Sequence, residues 1–287
     1  FKNEWRERLR IEKGLSTSMS SEMMELVKHG DMTNLRFHDK KQVTILFSDI
    51  VGFTSISEKL SPQDLVLLLD IYYEDIVELV FKNNGYVDKF IGDAVMAIWG
   101  VPTQNEQHAT QGLLTAIEYH EVVNKLNKKI KELNPNFPTL EARVGLHSGE
   151  VLAGNIGSSQ RFNYTVIGDA VNLAARLESI GKTYKTKLLI SEDTYQNSDI
   201  QHSNILVIDD IIVKGRSEST KVLTYLTTEM IQFKDVYETA YKNYQEGNFK
   251  EAIHSFTKII DFPPAEVMRN RCNLIIKNGI PKNYKNG

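Results

Sequence analysis

Two strand-like runs, Tyr86 to Ile91 and Ala94 to Trp99, are separated only by Gly92-Asp93. A two-residue connection makes them an antiparallel hairpin, because glycine supplies the positive φ that such a tight turn requires. The chain must therefore hold a sheet, and its neighbouring segments must pack on that sheet. Upstream, Val43, Ile45 and Phe47 alternate with Thr44, Leu46 and Ser48, which predicts a mostly buried strand ending at Asp49. Ser61, Pro62 and Asp64 then form a helix start: an N-cap, a proline in the first turn and a carboxylate at the third helical position. Leu65, Leu68, Leu69, Tyr72, Ile76, Leu79 and Val80 share one stripe of that helix, which should stop near Asn83-Asn84-Gly85. A second long amphipathic helix is predicted over Glu106 to Leu133.

Further strands are expected over Leu140 to His147, Val151 to Ile156, Phe162 to Ile167, Lys187 to Ile190, Leu206 to Val213 and Thr220 to Leu226, with a short helix over Asp169 to Ile180. This order gives an α+β chain: a ferredoxin-like βαββαβ core with additions, an antiparallel sheet and helices on one face. Three parts are expected. Residues 1–42 are a charge-dense, Met-rich helical lead-in, 43–228 are the sheet-bearing domain, and 229–287 are a helical appendage. In the appendage Gly247, Phe249, Ala252, Phe256 and Pro264 are spaced like one tetratricopeptide unit. A single such unit cannot cover its own apolar face, so it must pack on something else.

Asp49 ends the first strand and Asp93 sits at the hairpin tip. If those tips are neighbours, two hard-oxygen ligands meet at a sheet edge, a plausible magnesium site with room for water and phosphate oxygens. Either aspartate alone is more often a loop or turn residue. Gly52, just beyond, leaves backbone N–H groups open toward a phosphate. On the helix from Asp169, Asn172 and Arg176 share a polar face with Asp169 and Ser179, while Ala170, Leu173, Ala174, Leu177 and Ile180 form an apolar one. Taken singly, Arg143 reads as a strand-surface arginine and Lys214 as a solvated loop lysine. His147 reads as a core or loop-anchoring histidine, and the seven histidines have no metal-ligand spacing with Cys272.

Phe47-Ser48-Asp49-Ile50-Val51-Gly52-Phe53-Thr54 and Asp88-Lys89-Phe90-Ile91-Gly92-Asp93-Ala94-Val95-Met96-Ala97 resemble the two metal-binding motifs of class III nucleotidyl cyclases. Arg143-Val144-Gly145-Leu146-His147-Ser148-Gly149, the run from Tyr164 to Arg176 and Val213-Lys214-Gly215 resemble the family's remaining blocks, in the same order. The resemblance implies roles residue by residue. Asp49 and Asp93, with the Ile50 carbonyl, match the ligands of two magnesium or manganese ions per active site. Gly52, Phe53, Thr54, Arg143 and Lys214 match substrate-binding positions, the last two on the triphosphate. Asn172 matches the residue that orients the ribose, and Arg176 the one that stabilises charge on the reacting phosphorus. Lys89 and Thr165 match the two purine-reading positions. Many adenylyl cyclases carry aspartate at the second of these, so the pair resembles a lysine–threonine subset that also makes cyclic AMP.

The resemblance implies an adenylyl cyclase acting on ATP, in a homodimer whose two sites each draw on both chains. A guanylyl cyclase and a catalytically silent cyclase-like signalling module remain the alternatives. The net charge of −3 argues against nucleic acid as a partner. A single cysteine allows no intrachain disulfide and favours a reduced, cytoplasmic setting. No apolar run is long enough to cross a bilayer. Because the chain begins at Phe1 it is read as a fragment, with an upstream sensor or membrane segment an open expectation.

Overall fold

Alternation in the first strand carries through to the observed architecture. The computed structural model describes residues 39–158, 162–200, 203–212 and 219–279. The lead-in up to residue 38 and the block containing Lys214 lie outside them. In chain order the elements are β1 (Asp39–Ile50), α1 (Phe53–Ser57), α2 (Pro62–Lys82), β2 (Tyr86–Ile91), β3 (Ala94–Trp99), α3 (His108–Leu133), β4 (Ala142–Gly157), β5 (Phe162–Ile167), α4 (Asp169–Tyr184), β6 (Leu188–Ser191), α5 (Glu192–Gln196), β7 (Ile205–Ile212) and β8 (Ser219–Tyr225). A 3-10 turn at Ile231–Phe233 leads into α6 (Lys234–Gln245), α7 (Phe249–Lys258) and α8 (Pro263–Asn278). No helix among the described residues is long and apolar enough to cross a membrane.

The strands form a mixed sheet in the order β2-β3-β1-β4-β6-β8-β7, with β5 paired to the far half of β4. Val43 and Ile45 are buried on one face of β1 and Leu46 and Ile50 on the other, as a central strand requires. Strand pairing is antiparallel as expected, except that β4 and β6 run parallel. The crossover through α4 accounts for this, since parallel neighbours need a long connection. Two strands were expected where β4 is one. Ser148, Gly149 and Glu150 stay in the ladder opposite Thr44, Val43 and Gln42, and the Ser148 and Thr44 hydroxyls are hydrogen-bonded at 2.6 Å.

The predicted stripes become the core. Leu68, Tyr72, Ile76, Leu79 and Val80 of α2 and Leu113, Ala116, Tyr119, Val123 and Leu126 of α3 pack on the sheet face that holds Leu46, Ala97 and Val144. Burying a leucine or isoleucine in this way contributes roughly 1.5–3 kcal/mol. The Ser61 hydroxyl accepts from the Asp64 N–H at 3.1 Å, capping α2 as read. The expectation of helices on one face holds for α2 and α3, whereas α4 crosses the opposite face, with Ala170 and Ala174 against Val43 and Ile45. Gly145 of β4 permits that crossing: a Cβ there would stand 2.2 Å from the Glu178 nitrogen and 2.5 Å from the Ala174 carbonyl oxygen.

Beyond the sheet, α6, α7 and α8 share one core with Leu173, Leu177 and Tyr184 of α4 and with Leu206, Ile208 and Val222 of β7 and β8. A buried polar knot runs through it. Asp209, 1% exposed, accepts from the Tyr184 hydroxyl and is ion-paired with Arg271 of α8. Arg271 also donates to the Tyr184 hydroxyl at 2.9 Å. The end of α4 is thus tied to α8.

Candidate functional site

Backbone conformation places the first two carboxylates. Gly92 adopts φ +63°, which closes the β2–β3 turn and carries Asp93 to the end of β1. There the Ile50 N–H donates to Asp93 Oδ2 at 3.0 Å, pinning the hairpin tip beside Asp49. From α2, Tyr73 donates to the Gly92 carbonyl and packs against Phe90, the rings tilted by 32° with centres 4.2 Å apart. The sequence reading missed Tyr73, because it sits on the helical stripe's edge and its partner lies on another element.

Asp49 lies opposite Arg143 in the β1–β4 register. Arg143 Nη2 is 3.2 Å from Asp49 Oδ2, and its Nε is 2.8 Å from Glu178 Oε1 on α4. Partial burial raises the Asp49 carboxyl to about 7, helped by a hydrogen bond to Asp93 and by the negative charges of Asp93 and Glu178; Arg143 opposes the rise. Two carboxyl groups forced together at neighbouring strand ends lack enough positive charge. Among the described residues no group of three or more His, Cys, Asp or Glu side chains is arranged to hold a metal ion. The pair with the Ile50 carbonyl is an incomplete, all-oxygen donor set, which fits a hard divalent cation that takes its other ligands from water and substrate. Gly52 precedes α1, whose Phe53 packs on the core while Thr54 is exposed.

A second group lies on β2 and β5. Lys89 Nζ donates to Thr165 Oγ1 at 3.3 Å, Thr165 donates to Asp88 Oδ2 at 3.0 Å, and Lys89 Nζ is 3.1 Å from the same Asp88 oxygen. The third group is on α4, where Asn172 is exposed and Arg176 half-buried on the polar face, opposite buried Leu173, Ala174 and Leu177. His147 is buried and hydrogen-bonded to the Ser191 hydroxyl at 2.8 Å, the anchoring role read from sequence. Glu178 and Asp88 were not singled out in the sequence. The only sign of Glu178 was an acid placed one residue from Leu177 on a helix face turned to the sheet.

Paired strand-end carboxylates, an arginine across from them and a polar helix face thus lie on one α+β sheet. A model of the family described as "Adenylate and Guanylate cyclase catalytic domain" matches residues 35–229, and the chain belongs to that family. It is similar to the terminal-differentiation specific adenylate cyclase of Dictyostelium discoideum, 28% identical over 268 residues, or 88% of this chain and 12% of that protein. The chain therefore spans a small part of that relative's length. Among solved structures, an adenylyl cyclase from P. aeruginosa is 32% identical with a TM-score of 0.60, covering 67% of this chain and 97% of that one. A guanylyl cyclase is 30% identical with a TM-score of 0.58, covering 67% and 95%.

Proposed function

We propose that the chain is an adenylyl cyclase that converts ATP to 3′,5′-cyclic AMP and pyrophosphate, in a symmetric homodimer with two equivalent shared sites. One protomer would contribute Asp49, Asp93 and Arg143, and the other Lys89, Thr165, Asn172, Arg176 and Lys214. Similarity extends to both adenylyl and guanylyl cyclases, so the choice of base rests on this chain's own residues. The observation that carries it is the Lys89–Thr165 contact at 3.3 Å, which joins the two purine-reading candidates from separate strands. An ammonium can donate to adenine N1 and is opposed by the N1–H of guanine.

Two magnesium or manganese ions, held by Asp49, Asp93 and the Ile50 carbonyl, would activate the ribose 3′-hydroxyl and neutralise phosphate charge. The protein's own share is positioning and electrostatics. Glu178 fixes the plane of the Arg143 guanidinium through Nε, so that its remaining N–H groups aim toward the strand end where the triphosphate would lie. Arg143 and Lys214 would grip phosphate oxygens as a planar fork and a point charge. Asn172 would hold the ribose, and Arg176 would counter charge developing on the α-phosphorus. Asp49, Asp93 and Arg176 are all retained, which favours an active enzyme over a silent module.

Parallel turnover assays with ATP and GTP, in magnesium and in manganese, test this reading. Cyclic AMP from ATP at the higher kcat/KM is expected. A higher kcat/KM with GTP would make the chain a guanylyl cyclase, and inactivity on both nucleotides with either ion would point to the silent module.

A further inference from the structure

In a regular strand, consecutive side chains point to opposite faces. Asp88 and Lys89 break that rule: their side chains meet, at a register shift between Val87 and Lys89 in the β2–β3 ladder. A bulge of this kind re-aims a side chain. Here it turns the Asp88 carboxylate under Thr165.

The consequence lies in the direction of one proton. A threonine hydroxyl has a single hydrogen and two lone pairs. That hydrogen goes to Asp88 Oδ2 at 3.0 Å, and one lone pair accepts from Lys89 Nζ at 3.3 Å. What Thr165 can still offer is one lone pair, so toward a ligand it is an acceptor only. Lys89 has three N–H donors and uses two, on Thr165 and on Asp88. Its side chain is 42% exposed, whereas that of Asp88 is 0% exposed. A ligand can therefore reach the ammonium but not the carboxylate. Thr165 is itself only 8% exposed, so a purine that reaches the pair meets the open ammonium donor beside a recessed, fixed acceptor. That pattern matches an edge with an amino group at C6 and a bare N1. It opposes an edge with a carbonyl at C6 and a hydrogen on N1.

We propose that Asp88 is a specificity-determining positioning residue, which excludes 6-oxopurines by holding the Thr165 hydroxyl as an acceptor. This rests on the reading of Lys89 and Thr165 as base-contacting residues. Asp88 acts from beneath them without touching substrate. Its other oxygen, Oδ1, is buried with no hydrogen-bond partner among the described residues. An asparagine at this position could accordingly turn its amide toward Thr165 and reverse the hydroxyl.

The test measures kcat/KM for ATP, GTP and inosine triphosphate on the whole chain and its variants. Inosine triphosphate isolates the C6 and N1 positions from the 2-amino group of guanine. The ratio of ATP to inosine triphosphate is read within each protein, so a loss of folded enzyme divides out. Asp88→Asn should lower that ratio about tenfold, the worth of one well-placed hydrogen bond, chiefly through a lower KM for inosine triphosphate. Asp88→Ala, a second variant, should move it the same way. Thr165→Ser should keep the wild-type ratio, and Thr165→Val should lower it. In the Thr165→Val background, Asp88→Asn should change nothing further. If Thr165→Val leaves the ratio intact, the base-contact reading itself fails, and the role of Asp88 with it. If Thr165→Val lowers the ratio while both Asp88 variants preserve it, the base contact stands and the role of Asp88 is overturned. A further drop in the double variant would likewise overturn action through Thr165.

Discussion

His120 on α3 shows how burial at one residue becomes a property of the whole chain. Loss of hydration, together with the nearby Lys187 ammonium, lowers its ring to about 4, and Nε2 is buried with no hydrogen-bond partner among the described residues. The unfolded chain takes up a proton near pH 6.5 that the folded ring refuses, so the unfolded state binds more protons between the two values. The His120 contribution is therefore complete above pH 6.5 and erodes as pH falls toward 4. The loss should be roughly 2–3 kcal/mol, measured as a falling urea midpoint. A His120→Leu variant should show a shallower decline over that window. Single residues were only partly legible from sequence. Asp49 and Asp93 stood out as a pair at a strand end and a turn, whereas Asn172 and Arg176 were singled out from an ordinary polar helix face by the family resemblance alone. Glu178, Asp88 and Asp209 did not, since what defines them is a partner on another element: Arg143 is 35 residues from Glu178, and Arg271 is 62 from Asp209.

Among the elements, period and turn chemistry predicted the hairpin, α2 and β5 well, because each is bounded by local signals. Two elements ran on past their apparent ends. Ser148 and Gly149 look like a break but remain in β4 because β1 continues beside them. The glycine after Ile180 looks like a stop, yet α4 continues to a buried Tyr184 and ends where Lys185 takes φ +52°. Tyr184 meets Asp209 and Arg271, so this extension depends on a helix far along the chain. Arg271→Leu should leave a buried carboxylate without its cation and cost about 3–5 kcal/mol, read as a lower denaturant midpoint. Replacing both partners, with Asp209→Leu added, should restore most of that stability. A double variant as unstable as Arg271→Leu would show that the knot works through packing rather than charge.

For the whole molecule, the proposed shared sites make a quantitative forecast. An Asp93→Ala chain and an Arg176→Ala chain should each be inactive alone. Mixed in equal amounts, half of the dimers are heterodimers with one intact site of two. Activity should then return to about a quarter of wild type. A mixture as inactive as its components would place each site within a single protomer. The order of strands and helices made the α+β sheet legible, but the pairing of protomers came from the resemblance alone, since an interface between copies leaves no periodic trace in one chain.

The close contact at Gly145 bears on how such an enzyme could be throttled. With the backbone of α4 seated directly on β4, the helix bearing Asn172 and Arg176 cannot slide over its own sheet without losing that seat. Each protomer of the proposed dimer would then move as one stiff half of a hinge. Any upstream signal that tunes catalysis in the proposed dimer would have to swivel one half against the other, much as shears cut only when both blades turn about a pin.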